Sequence, residues 1–303
     1  MNIVMSGASG LIGSALSQRL RERGHLVISL VRPGSHAAQG PSIHWDPAHG
    51  HIDLDALAAY DHIDACIHLA GAGIADKRWS QARKNEILAS RVRSTETLAA
   101  ALTEISPRPS TLLSASAIGF YGNRGDEVLS ETSTQGSGFL AEVCGAWEHA
   151  TAVADHSPIR VVHLRTGIVL DPKGGALAKQ LPLFKAGLGG KLASGKQWVS
   201  WISMEDELRA IEFALTNDDI HGPVNLTAPN PVTNAEFTKT LGHVVHRPAV
   251  MSVPKFALAT ALGSELVDEA ITASQRVEPA ALLAAGFSFA QPDLDQALHA
   301  LLG

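Results

Sequence analysis

The sequence predicts an α/β fold: a doubly wound parallel sheet followed by a smaller, mostly helical C-terminal substrate domain. Three observations predict it. An apolar run, Asn2–Ser6, passes at once into Gly7-Ala8-Ser9-Gly10-Leu11-Ile12-Gly13, and an amphipathic helix follows from Ser14 to Arg23. Apolar runs then alternate with helical periodicity as far as Leu170, the βαβα order of a parallel sheet. Beyond Leu170, Gly174-Gly175 and Gly187-Leu188-Gly189-Gly190 break the pattern into short pieces. The division sets one domain at residues 1–170 and a second at 171–303, with segments interleaved with the sheet.

The first turn is the most informative stretch. Strand, glycine turn and helix form the arrangement that receives a dinucleotide pyrophosphate. Gly7 permits a tight turn, Gly10 permits close approach of backbone N–H groups to a phosphate, and Gly13 lets the helix pack near the strand. Gly7, Ser9, Gly10, Leu11 and Ile12 therefore face the anion at the positive end of the helix. The spacing is G-x-x-G-x-x-G.

His25–Val31 reads as the second strand, with Arg32 at its end and no Asp or Glu between His25 and Ser42. An acidic residue there would bind the ribose 2′-hydroxyl of NAD, whereas an arginine suits the 2′-phosphate of NADP. Arg32 is thus read as an NADP selector, with NAD as the weaker alternative and a solvated loop arginine as the non-functional one. Pro33–His51 reads as a polar loop. Its His36, His44, His49 and His51 lack the spacing of a metal site, so no metal is expected.

Asp64–Leu69 is the next strand and ends in Ala70-Gly71-Ala72-Gly73, small residues that leave room for the adenosine side of a cofactor. No Gly or Pro interrupts Lys77–Ser106, and Ser80 is a natural N-cap, so this is a long crossover helix. Its face with Glu86, Ser90 and Arg91 either reaches the cofactor or forms a charged surface. Ser110–Ser114 and Ile159–Arg165 are strands four and five, with a helix over Gly138–Asp155 between them. Later, Met204–Thr216 reads as a helix and Val224–Leu226 as a strand, and Thr233-Asn234-Ala235-Glu236 is a capping box. Trp198 and Trp201 sit in a loop-like stretch where they pack either on a ligand or on a neighbouring segment.

Bulk properties narrow the class. The chain has 303 residues, is 45% hydrophobic and carries a formal net charge of −6, so neither nucleic acid nor an anionic membrane is an expected partner. No apolar run is long enough to span a bilayer and no signal-peptide pattern opens the chain. The only cysteines are Cys66 and Cys144, without a C-x-x-C pair. A cytoplasmic location is expected.

Ser114–Gly122, Gly138–Cys144 with Trp147-Glu148, Arg165–Leu170, Gly187–Gly190, Gly195–Ile202 and Gly286–Phe289 together resemble the extended short-chain dehydrogenase/reductase superfamily. Within it they resemble the epimerase-family subgroup typified by bacterial YfcH and the human short-chain member 39U. The resemblance implies a Rossmann-type NADP-binding domain with a smaller substrate domain. It implies cofactor contacts at Arg32, Leu69-Ala70-Gly71, Glu86, Arg91 and Ser114 and near Ile168. In the superfamily a Ser after the fourth strand binds the substrate oxygen, and a Tyr-x-x-x-Lys pair on the next helix moves the proton. Ser116 fits the first role. Phe139 and Val143 stand where the tyrosine and lysine belong, and no lysine occurs between Lys84 and Lys173. The remaining candidates for chemistry are Ser116, then Tyr121, then Glu142.

Two readings follow. One is an NADP-dependent oxidoreductase or epimerase acting on a small carbonyl or nucleotide-sugar-like substrate. The alternative is a non-catalytic NADP(H)-binding sensor or partner-binding protein. A homodimer, common in that superfamily, stays open, since no exposed apolar stripe specifies one.

Overall fold

The computed structural model describes residues 1–35 and 39–303; His36 lies outside the described residues. The chain begins β1 (Asn2–Ser6), α1 (Leu11–Glu22), β2 (Leu26–Val31), β3 (Ser42–Asp46), β4 (His51–Ile52) and α2 (Leu54–Ala58). It continues β5 (Ala65–His68), α3 (Gln81–Glu104), β6 (Thr111–Ala117), β7 (Val128–Leu129), α4 (Phe139–His149) and α5 (Ala152–Asp155). Next come β8 (Arg160–Thr166), β9 (Ile168–Leu170), α6 (Gly175–Lys185), β10 (Gly190–Leu192), β11 (Trp198–Val199), β12 (Trp201–Ser203) and α7 (Met204–Thr216). Then follow β13 (Gly222–Leu226), β14 (Val232–Thr233), α8 (Asn234–Val244), β15 (Met251–Val253), α9 (Lys255–Leu262) and α10 (Ser264–Leu266). A π-helical turn (Val267–Ile271), β16 (Arg276–Val277), α11 (Ala280–Ala284) and α12 (Leu294–Leu302) complete it.

The central sheet runs β13-β8-β6-β5-β1-β2-β3-β4. It is parallel throughout except at β3–β4. From β1 the chain winds outward through β2 and β3, then returns to β5 on the other side of β1. That reversal opens a crevice at the carboxyl ends of β1 and β5, where α/β sheets bind ligands. Strand alternation sends Ile3, Met5 and Ile67 to one face, against α1 and α7. Val4, Ile28 and Cys66 face the opposite layer, which holds α3 and α5. A separate cluster around Trp201, Leu177, Phe237 and Leu298 forms the core of the C-terminal unit.

Three differences from the sequence reading have local causes. Within the expected loop 33–51, Ile43 and Trp45 point inward while Ser42 and His44 point out. That alternation extends the sheet by β3 and β4. The helix expected over 138–155 breaks after His149, where the Thr151 hydroxyl donates to the Glu148 carbonyl at 2.8 Å and competes with the helical ladder. The fourth strand runs on to Ala117, which places Ser116 inside it. Helix signals fared better. Ser80 caps α3 by accepting from Arg83 N, and the Thr233–Glu236 capping box is formed.

Trp198 and Trp201 both pack on neighbouring segments. Trp201 is fully buried and donates to the Asn230 carbonyl at 3.1 Å. Trp198 donates to Asp126 at 2.9 Å and lies under the Arg276 guanidinium. Among the described residues no helix is long and apolar enough to cross a membrane.

Candidate functional site: the cleft at the β1–β5 switch point

The glycine turn is built for contact distances that no side chain tolerates. Gly7 has φ +71°, and a Cβ there would lie 2.6 Å from the Leu69 carbonyl carbon. A Cβ on Gly13 would lie 2.1 Å from the Gly7 oxygen, so α1 starts tight against β1. Gly10 caps α1 without a side chain, so the helix's first N–H groups remain available to an anion.

This turn forms one wall of a cavity of about 730 Å³, within the size range of small-molecule sites. The ends of β2, β3 and β5 and one face of α3 form the others. Among the described residues, five cationic side chains line it (Arg21, Arg32, Lys77, Arg83 and Arg93) against three carboxylates (Asp46, Asp76 and Glu86). In a chain of net charge −6 that local excess of positive charge favours an anionic ligand. Arg83 donates to Glu86 at 2.7 Å, which holds the Glu86 carboxyl below its usual range. Arg32 and Ser35 stand together past the end of β2, and Arg21 braces the neighbouring loop by donating to the Gln39 carbonyl at 2.9 Å.

Of the expected cofactor residues, Gly7, Ser9, Gly10, Arg32, Leu69, Ala70, Gly71 and Glu86 line the cavity. Others stand outside its lining. Leu11 packs on Gly174 and Gly175, and Ile12 on the core. Arg91 donates to the carbonyls of Ala72 and Ile87 at 2.9 and 3.1 Å, so it shapes the Ala70–Gly73 wall from behind. Ser114 is fully buried with its hydroxyl unpartnered, and Ile168 opens β9 beside Trp201. Sequence reasoning missed the Trp45-Asp46-Pro47 wall, Ser35, Arg83 and Arg93. The inward Ile43/Trp45 alternation was the signal for the first.

The proposed acid–base set is not assembled in the open cavity. Ser116 is buried, and its hydroxyl donates to Glu148 at 2.7 Å. Glu148 is also gripped by Arg165 through two bonds of 2.8 Å. Tyr121 is fully buried; its hydroxyl donates to Asn225 at 2.7 Å and accepts from Arg165 at 3.0 Å. Burial pushes its phenol up from the ordinary value, away from general-base use at neutral pH. The Arg165 guanidinium lies 3.5 Å from the Phe120 ring centre. Ser116 and Tyr121 thus join one internal network centred on Arg165, because buried hydroxyls need partners and the buried cation supplies them. Glu142 instead stands exposed on α4. Cys144 is buried, which pushes its thiol up to about 12, and it serves the core.

At the amino end of α4, Phe139 packs edge-on against Trp79 with ring centres 5.1 Å apart. Lys84 Nζ lies 4.6 Å from the Phe139 ring centre. The first residue of α4 is therefore walled by an aromatic ring with a lysine from α3 alongside. Ser203 caps α7 by accepting from Asp206 N.

Residues 3–226 match the model of the NAD dependent epimerase/dehydratase family. The chain belongs to that family. Residues 253–301 match a domain of unknown function, DUF1731. This epimerase-family chain is 46% identical to the epimerase family protein Mb2239 of Mycobacterium bovis, covering 98% of this chain and 96% of that one. Its fold superimposes on the crystal structure of the human epimerase family protein SDR39U1, solved with NADPH, with TM-score 0.89, 30% identity and coverage of 100% and 99%. A nucleoside-diphosphate sugar epimerase from Corynebacterium glutamicum matches with TM-score 0.79 and 38% identity, over 100% of this chain and 58% of that one.

Proposed function

We propose that this protein is an NADP(H)-dependent oxidoreductase or epimerase-like enzyme acting on a small carbonyl or nucleotide-sugar-like substrate. The observation that carries the reading is Arg32 with Ser35 at the end of β2 in a cation-rich cleft, beside a glycine turn that side chains would fill. An arginine there suits a 2′-phosphate. NADPH in the human relative's structure points the same way. When bound, the dinucleotide supplies the hydride. The chain's own part is to cradle the pyrophosphate on α1, hold the 2′-phosphate at Arg32, and exclude water at the Trp79–Phe139 wall.

Among the described residues no tyrosine lines the open cleft. Phe139 and Val143 replace the pair, and the hydroxyls of Ser116 and Tyr121 are engaged internally. Water or a substrate group therefore completes the transfer. The same observation favours a second reading, an NADP(H)-binding protein that senses the cofactor or binds a partner without turnover. A fluorescence titration with NADPH and NADH tests the cofactor: we expect tight NADPH binding, weakened roughly tenfold to a hundredfold in Arg32→Ala, with NADH little affected. Equal or absent binding of the two refutes it. Oxidation of NADPH with any member of a carbonyl panel then separates the enzyme from the sensor.

A further inference from the structure

Several walls of the cleft meet at His68, the last residue of β5. It is fully buried and stands outside the cavity lining, yet each of these walls reaches it. Ser6, which ends β1 and precedes Gly7, has its hydroxyl 2.5 Å from Nδ1. Ser94 on α3, a lining residue, has its hydroxyl 3.2 Å from Nε2. Trp45 of β3, also in the lining, meets the imidazole edge-on with ring centres 6.0 Å apart. The backbone that leaves His68 is itself the Leu69–Gly73 wall.

The hydrogen bonds run in one direction. Ser94 Oγ lies 2.7 Å from the Ser90 carbonyl and 3.0 Å from that of Arg91. Its proton goes to a carbonyl, so its oxygen accepts from His68 Nε2–H. Nδ1 is then the bare nitrogen and accepts from Ser6. Among the described residues Ser6 Oγ has no other hydrogen-bond partner, so the opposite tautomer would leave its proton without an acceptor in a site closed to water. Burial opposes a charge on the ring, and the neutral form is the one this chain of bonds requires. The ties continue along α3. Ser90 Oγ accepts from Ala72 N at 3.1 Å, and Arg91 donates to the Ala72 carbonyl at 2.9 Å. A fully paired buried network of this kind specifies one arrangement of the elements it joins.

We infer that His68, as the Nε2–H tautomer, is a positioning residue for the dinucleotide, fixing the gap between the Gly7–Gly10 turn and the Ser90–Ser94 face of α3. It acts through Ser6, Ser94 and Trp45. The inference rests on the cofactor reading above and deepens it.

Nitrogen-15 NMR of the full chain, labelled at histidine and held at pH 7, tests the relay, with His68 assigned by its contact to Trp45. NADPH titrations of wild type, Ser6→Ala, Ser94→Ala and the double variant test its effect. We expect His68 to show the signature of a neutral imidazole protonated at Nε2. Ser6 is outside the cavity lining, and we expect Ser6→Ala to weaken NADPH binding roughly tenfold with an unchanged circular dichroism spectrum. The double variant should bind little worse than Ser94→Ala alone, because the chain is already broken, whereas independent residues would add. A proton on Nδ1, unchanged affinity in Ser6→Ala, or additive losses in the double variant each overturn the inference. Failure of the wild type to bind NADPH is a separate result: it refutes the cofactor reading itself and removes the ligand that His68 would position.

Discussion

Burial sets the charge state of two residues that the sequence alone could not single out. Glu207 on α7 is fully buried, with one hydrogen bond from Thr166 at 3.0 Å, and desolvation raises its carboxyl from 4.5 to about 8. His68 is sealed between Ser6 and Ser94, at 2.5 and 3.2 Å. Desolvation lowers its imidazole from 6.5 to about 3. Linkage fixes opposite signs for the two. Glu207, raised in the fold, contributes stability that is full below pH 4.5 and is lost as pH rises through about 8. His68, depressed in the fold, contributes stability present above 6.5 and lost as pH falls toward 3. We expect Glu207→Gln to flatten the alkaline fall in Tm between pH 5 and 9 while leaving the acid limb in place; thermal melts across that range check it. The places of Arg32 past the end of β2 and of Phe139 at the start of α4 were legible because they follow directly from a strand and a helix signal. Glu207 was not, because its protonation depends on neighbours distant in sequence. Ser116 was read onto the cleft from its place after a strand, whereas the buried Arg165–Glu148 pair turns its hydroxyl inward.

Among elements, the β1–turn–α1 unit has the least tolerance. The Gly13→Ala methyl would meet the Gly7 carbonyl at 2.1 Å, so α1 must retreat from β1. Overpacking of this kind costs about 1–3 kcal/mol, and we expect that loss in chemical denaturation together with loss of NADPH binding. The β6–α4–β8 layer depends on a different feature. Arg165 and Glu148 are 4% and 11% exposed, and removing one partner of a buried pair costs about 3–5 kcal/mol. Arg165→Ala should therefore destabilise the chain by that order, whereas a Glu148→Leu/Arg165→Leu double replacement should recover much of the loss; urea midpoints distinguish the two. Elements with caps and long periodicity, such as α3, α7 and α8, were readable from local signals. β3 and β4 were not: five and two residues inside a Gly/Pro/His-rich stretch offer too short an alternation to outweigh their breakers.

Across the whole molecule, the two units share more than a linker. α7 and β13, far past Leu170, belong to the central sheet layers. Asp206 accepts from the backbone of Ala290 and Gln291 at 2.8 Å each. Glu131 accepts from Asn225 and Ala281, at 3.0 and 3.1 Å. With such cross-ties we expect a single cooperative unfolding transition, tryptophan fluorescence and far-UV circular dichroism superimposing; two separated transitions would contradict it. The doubly wound class was legible because alternating βα patterns dictate it. The interleaving at residue level was not, because no local pattern announces which later strand completes a sheet.

That last strand has a consequence for synthesis. β8 ends at Thr166 and its outer neighbour β13 begins at Gly222, so the nascent chain emerges with the edge of β8 bare. At translation rates of about 5–20 residues per second that edge waits roughly 3–11 s for its partner. During that interval its unpaired N–H and C=O groups form a template for another strand, and the polysome is where this protein is most exposed to aggregation.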